Sequence, residues 1–258
     1  MRLRSIQVSG RRYDASMVSL SWVLVAVTVS APKAMNPDKH DVDAVIELNG
    51  EKTEVRWTDG DSFKVKSGPF KGRGTRLHGY NTLEAFGPVH RWGEWTAAEL
   101  FTLAKDASTV AAAKEWVCTT DGKEDRYKRL LINCPELTLH IVKEGYALAY
   151  AVDGAPGSEV LAAQKEAIAS KRGIWRRGVV NGVITSVHSA GEDEDETEGA
   201  AYNRVVDTRT GLALKHKHEH RYASCEEVCE TTEGTESCMV YVPFKHRYRH
   251  RPSCLFVR

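Results

Sequence analysis

The sequence predicts an α+β fold, a small closed β-barrel with helices packed on it, followed by a small Cys/His-rich C-terminal module. Three observations predict it. Several short strand-like runs come first, helical spacing of apolar residues appears only after the early strands and again after later ones, and four of the six cysteines collect with half of the histidines near the end.

The elements follow in order. The stretch VDAVIELNGEKTEVRW alternates around Asn49 and Gly50, a hairpin signal, and TDGD makes a further turn before SFKVKSG and GTRLHGY, which read as strands. Between residues 91 and 106, Trp92, Trp95, Leu100, Leu103 and Ala104 fall largely at helical spacing and predict a helix. KEWVCTT and RLLINC read as two strands around the turn at Asp121 and Gly122. PELTLHIVKEGYALAY reads as a short helix stopped near Gly145. Ser158 is expected to cap EVLAAQKEAIASKR, a helix ending at Gly173.

Charge and composition bound the rest. Lys+Arg of 36 against Asp+Glu of 35 leaves a net charge of +1, so no global field points to a polyanionic partner and any basic surface must be local. The uncharged run MVSLSWVLVAVTVSA, 17–31, follows a basic start and has the length of a signal-peptide core, too short for a comfortable membrane span; VLVAVTV would also suit a buried strand. The expectation is a signal peptide over 1–34 and a secreted or periplasmic protein, with a barrel domain over 35–180. The acidic run AGEDEDETEG buries nothing and marks 181–199 as a solvated linker, leaving 200–258 as a separate module.

Six cysteines fit an exported chain with disulfides. Cys118 and Cys134 lie in neighbouring strand-like stretches and can face one another, whereas Cys225, Cys229, Cys238 and Cys254 allow three pairings among themselves. A zinc site drawn from those cysteines and the nearby His216, His218, His220, His246 and His250 is the competing reading. KHRYRHR, 245–251, interleaves tyrosine with cations and suits either a nucleic-acid backbone or a solvated edge.

Asp59 and Asp61 bracket Gly60 at a turn, Arg76 lies on the strand GTRLHGY, and Asn81 and Glu84 follow its end. Converging hard oxygens bind Ca²⁺ or Mg²⁺, guanidinium groups hold phosphate, and a glutamate beside them can take a proton from water. Taken singly, each of these residues also has an ordinary turn or surface reading.

Together they resemble the thermonuclease (staphylococcal nuclease-like) family. TDGDSFKV, TRLHGYNTLE, EDRYKRLL and VKEGYALAY resemble four of its motifs in order, and SKRGIW closes the likeness, which covers roughly residues 55–178. The resemblance implies an OB-type five-stranded barrel and a Ca²⁺-assisted nuclease (Mg²⁺ or Mn²⁺ being alternatives) acting on DNA, RNA or both. Arg76 and Arg129 would hold the scissile phosphate, Glu84 would act as general base, and Asp61, Asn81 and Thr82, the last through its carbonyl, would be metal ligands. Tyr127 and Tyr150 would shape the nucleotide pocket. The chain departs from the family pattern at Asn81, where the family has Asp, and at Leu83, where it has Pro. The first removes a ligand charge and the second a fixed φ beneath Glu84. A noncatalytic nucleic-acid- or protein-binding module on the same barrel, or a phosphodiesterase for another substrate, is what these departures leave open.

Overall fold

The computed structural model describes residues 41–86, 88–192, 201–247 and 254. The expected signal peptide, most of the acidic run, and Tyr248, Arg249 and Arg251 of the basic tail lie outside them.

Strands β1 (Val42–Leu48) and β2 (Glu51–Asp59) form the expected hairpin. Asn49 and Gly50 both take positive φ, 53° and 85°, which is what a two-residue turn between twisted strands requires. Strand β3 (Ser62–Val65) continues the sheet, and β4 (Thr75–Leu77), β5 (Tyr80–Thr82) and β6 (His90–Trp92) follow. Helix α1 (Ala97–Ala111) begins later than the spacing of Trp92 and Trp95 predicts. Thr96 and Glu99 form a reciprocal capping box there, and Trp92 belongs to a strand instead.

Next come β7 (Val117–Cys118), β8 (Leu130–Ile132), α2 (Pro135–Lys143), β9 (Ala147–Ala149) and α3 (Ser158–Ala169). The α3 cap is Gly157, with no side-chain bond, so Ser158 is the first helical residue rather than the cap. Beyond them lie β10 (Gly182–Val187), β11 (Tyr202–Asp207), β12 (Ala213–Lys217), β13 (Glu227–Thr232), β14 (Thr235–Val240) and the single turn α4 (Phe244–Arg247).

A hydrogen-bonded circuit encloses the main core. The order β3-β2-β1-β7 makes one sheet and parallel β4-β8 another. The Lys64–Gly74 bridge joins β3 to β4, and the Thr119–Asn133 bridge joins β7 to β8. Among the described residues the ring therefore consists of six short segments in two sheets, not the five continuous strands expected. Ile46, Trp57, Phe63, Leu130 and Ile132 fill it, and α2 closes it with Leu137 and Ile141. Full burial of such a side chain contributes about 1.5–3 kcal/mol.

The C-terminal residues differ from the expected separate module. Residues 182–187, assigned by composition to a linker, form the largely buried strand β10, which pairs with β11 and β12. The β13–β14 hairpin adds to β6, with Cys238 opposite Arg91, and Arg91 makes two bonds to Glu227 at 2.6 and 2.8 Å. The six cysteines form three disulfides, Cys118–Cys134, Cys225–Cys254 and Cys229–Cys238, which settles the open pairing and removes the zinc reading. His216 bonds Glu230 and His218 bonds Asn203 instead. No helix among the described residues is long and apolar enough to cross a membrane.

Candidate active site

The turn between β2 and β3 presses on α1. A Cβ on Gly60 would lie 2.6 Å from the Cβ of Ala107 and 2.6 Å from Cγ2 of Thr82, so only glycine lets the turn close here. The Tyr80 hydroxyl donates to the Gly60 carbonyl at 2.9 Å and fixes it. Two carboxylates are thereby held beside β4 and β5. Asp61, only 3% exposed, pairs through Oδ2 with Arg76 and accepts the Thr82 N–H at 3.1 Å, while its Oδ1 accepts from the Ser62 hydroxyl at 2.9 Å. Asp59 accepts from the Gly60 N–H at 2.7 Å and from the Thr82 hydroxyl at 3.3 Å.

Arg76 spans the gap from this turn to the loop that follows it. One terminal nitrogen pairs with Asp61, the other donates to Asn81 Oδ1 at 2.5 Å, and the guanidinium carbon lies 5.8 Å from the ring centre of Tyr150. Burial opposes its charge, but Asp61, Tyr150, Glu84 and Asp59 together hold its pKa above the usual value. Asn81 Nδ2 donates to the Thr82 carbonyl at 2.6 Å.

Glu84 follows β5. Leu83 and Ala85, on either side of it, are 1% and 0% exposed, and its backbone N–H donates to His90 Nε2 at 3.3 Å. Packing by Leu83 thus supplies the loop anchoring that a proline would otherwise provide. The Glu84 carboxylate has no hydrogen bond or ion pair among the described residues. Burial, then the charge of Asp61, pushes its carboxyl above the usual range, against the pull of Arg247, Arg76 and Arg129. The Asp59 carboxyl stands well above its usual range, through burial first and then Asp61 and Glu84.

Arg129 enters from the loop before β8. Asp125 holds it at 2.7 Å through both Nε and Nη2, and its guanidinium carbon lies 5.5 Å from the Tyr127 ring centre. Tyr127 is 53% exposed, at the rim, while Tyr150 is half-buried beside Arg76.

Two residues near these groups were not singled out by the sequence, whereas Asp59 was, as one of the converging acids. His90 is buried, with burial lowering its pKa to about 3, and it serves as acceptor for the Glu84 backbone. Arg247 comes from the far C-terminal segment, and no local pattern announces its approach to Glu84.

The donor chemistry fits a hard divalent cation through its carboxylates. Asp59 and Glu84 are both raised by burial first and then by like charge, and a cation would relieve the second. Asn81 and Thr82 fit it poorly, because the Asn81 carbonyl is bonded to Arg76 and the Thr82 carbonyl to the Asn81 amide. Oxygens of Asp59, Asp61 and Glu84 do not all come within 4.8 Å of one another. The one triple that does among the described residues, Glu227, Cys229 and Cys238, has its sulfurs in a disulfide.

A barrel mouth that gathers carboxylates and arginines around a glutamate unpaired among the described residues has the composition of a phosphate-handling site. Residues 75–177 match the family described as staphylococcal nuclease homologue. Such a domain implies an OB-like β-barrel with helices and a nuclease-like or nucleic-acid-binding module. A search of curated proteins finds no match to the chain.

Proposed function

We propose that this protein is a metal-dependent phosphodiester hydrolase that cleaves DNA, RNA or both, in an oxidising compartment outside the cytosol. The observation that carries the reading is the meeting of Arg76, Asp61 and Glu84 at one barrel mouth, with the Arg129 charge acting on the same glutamate. Arg76 and Arg129 hold the phosphate and neutralise charge that builds on its oxygens. Glu84, ionised and unpaired, orients a water and takes its proton. Tyr150 backs Arg76, and Tyr127 flanks Arg129. Asp61 and Asp59 would hold the cation, with weaker help from Asn81 and Thr82. A bound Ca²⁺, Mg²⁺ or Mn²⁺ ion supplies Lewis-acid polarisation and further charge neutralisation. Three disulfides support an oxidising compartment.

The test is cleavage of single- and double-stranded DNA and of RNA with each cation or with chelator, beside Glu84→Gln. Loss of a positioned base lowers kcat by about 10²–10⁴-fold. Because the raised Glu84 carboxyl must be ionised to act, kcat/KM falls as pH drops through that raised pKa, and the limb disappears in Glu84→Gln. Equal activity of the variant, or activity in chelator, would sink the reading. The Asn81–Thr82 bond favours one alternative, a noncatalytic nucleic-acid- or protein-binding module; tight binding by folded protein without turnover under any cation would establish it.

A further inference from the structure

One face of the β10–β11–β12 sheet collects cations without counter-charges. Ser186, Arg204 and Lys215 are consecutive cross-strand partners, so two cations stand directly opposite one another, an arrangement that is destabilising in isolation. Arg204 Nε and Ser186 Oγ, neighbours in that row, are buried without a hydrogen-bond partner. An orphaned buried polar atom is unfavourable unless something satisfies it. No carboxylate among the described residues pairs with Arg126, Arg204 or Lys215.

Tyr202 ties this face to the barrel mouth. Its hydroxyl accepts from Arg126 at 3.2 Å and from Arg204 at 3.3 Å, and Lys215 Nζ lies 4.6 Å from its ring centre. Arg126 also bonds the Tyr127 hydroxyl, and Tyr127 lies against Arg129. Cations and tyrosines therefore alternate from Arg129 through Tyr127, Arg126 and Tyr202 to Arg204 and Lys215. His188 stacks on Tyr202 at 4.4 Å; burial first, then Arg247, Arg204, Arg126 and Lys215, lowers its pKa to about 3, so it adds no positive charge to the face at neutral pH.

We propose that this track, built largely outside the matched domain, is an extended phosphate-binding subsite that holds the backbone of a nucleic-acid strand leading away from the barrel mouth. The proposal rests on the nucleic-acid reading above and adds that the C-terminal segment selects polymers over short phosphodiesters. Tyr202 is already covered by His188 and by cations, so the track offers guanidinium and ammonium groups rather than a stacking surface. It therefore reads phosphates, not bases, and is indifferent to sequence.

The experiment is fluorescence anisotropy of labelled oligo-dT and oligo-U with the full chain, in chelator so that nothing is cleaved, over a range of KCl. Each phosphate contact on a single strand contributes about 0.7 to the slope of log K against log salt. Arg204→Gln/Lys215→Gln is expected to reduce that slope by about 1.4 and to weaken binding near 0.1 M salt by on the order of tenfold. Arg126→Gln is a second, single-site variant, with an expected reduction of about 0.7. The control Lys71→Gln/Lys165→Gln removes the same charge from exposed positions elsewhere and is expected to keep the wild-type slope. Unchanged slopes in the track variants, an equal loss in the control, or no binding by wild type would overturn the subsite. Hydrolysis of a small chromogenic phosphodiester by the same preparation reports on the barrel site alone, so failure of the subsite and failure of the catalytic reading are separable.

Discussion

Asn81 shows how one side chain can alter a site without displacing it. Its amide donates to the Thr82 carbonyl and its carbonyl accepts from Arg76; the reverse orientation would set N–H against guanidinium and oxygen against oxygen, so the partners fix the amide. In effect an N–H occupies the place beside the Thr82 carbonyl that a cation would take. Asn81→Asp removes that proton and sets two oxygens in repulsion unless a cation lies between them. We expect the variant to lose about 1–3 kcal/mol in chelator, and to bind Ca²⁺ on the order of tenfold more tightly than wild type. Thermal unfolding with and without Ca²⁺, with calorimetric titration, checks both; a variant as stable as wild type in chelator and indifferent to Ca²⁺ refutes the account. The missing charge at Asn81 was legible in the sequence because charge belongs to the residue. Its bond to Thr82 was not, because a side chain's partners depend on the fold around it, and the same holds for the burial of Leu83.

Local elements were readable where one segment carries its own signal. The Asn49–Gly50 hairpin and the helix stopped at Gly145 follow from turn chemistry and periodicity alone. Strand β6 did not, because Trp92 and Trp95 lie three apart as on a helix, while the partner that makes Trp92 a strand residue is Ser237. Strand β7 lies inside KEWVCTT, which reads as a strand, but it is much shorter than that stretch. It is two residues long, too short to hold itself by its parallel pairing with β1, and the Cys118–Cys134 disulfide ties it to the start of α2. That disulfide also closes the loop carrying Tyr127 and Arg129, so it links an element's stability to the two residues proposed to face the phosphate. Replacing both cysteines by alanine is expected to cost about 3 kcal/mol, or about 6–12 °C in Tm. In the proposed function, where Arg129 holds the substrate phosphate, KM for nucleic acid should rise more than kcat falls. Unfolding curves and steady-state kinetics on the double variant decide the matter; an unchanged Tm would mean that β7 is held by other contacts.

At the scale of the molecule, the acidic run misleads as a boundary. Its composition reports that those residues prefer water, and says nothing about which strands on either side pair. The described residues fall within one compact unit. Two separate ties cross the supposed boundary: β14 completes the sheet edge at β6, and buried Gln164 accepts the Ala149 N–H at 2.8 Å while donating to the Thr208 carbonyl; Val183, within the supposed linker, packs into the cluster of Trp92, Trp95 and Trp175. Deleting residues 190–258 would strip away Val205, Val206, Val228, Met239, Tyr241 and Val242, all buried. At about 1.5–3 kcal/mol for each such side chain, the loss is comparable with the 5–15 kcal/mol that stabilises an entire domain. The full chain is therefore expected to unfold in a single transition, and the truncated chain to be unfolded or aggregated. Calorimetry of both distinguishes the cases. Two resolved transitions in the full chain, with a truncated form that keeps the wild-type Tm of one of them, would restore the independent module and detach Arg247 and the Tyr202 track from the site they face.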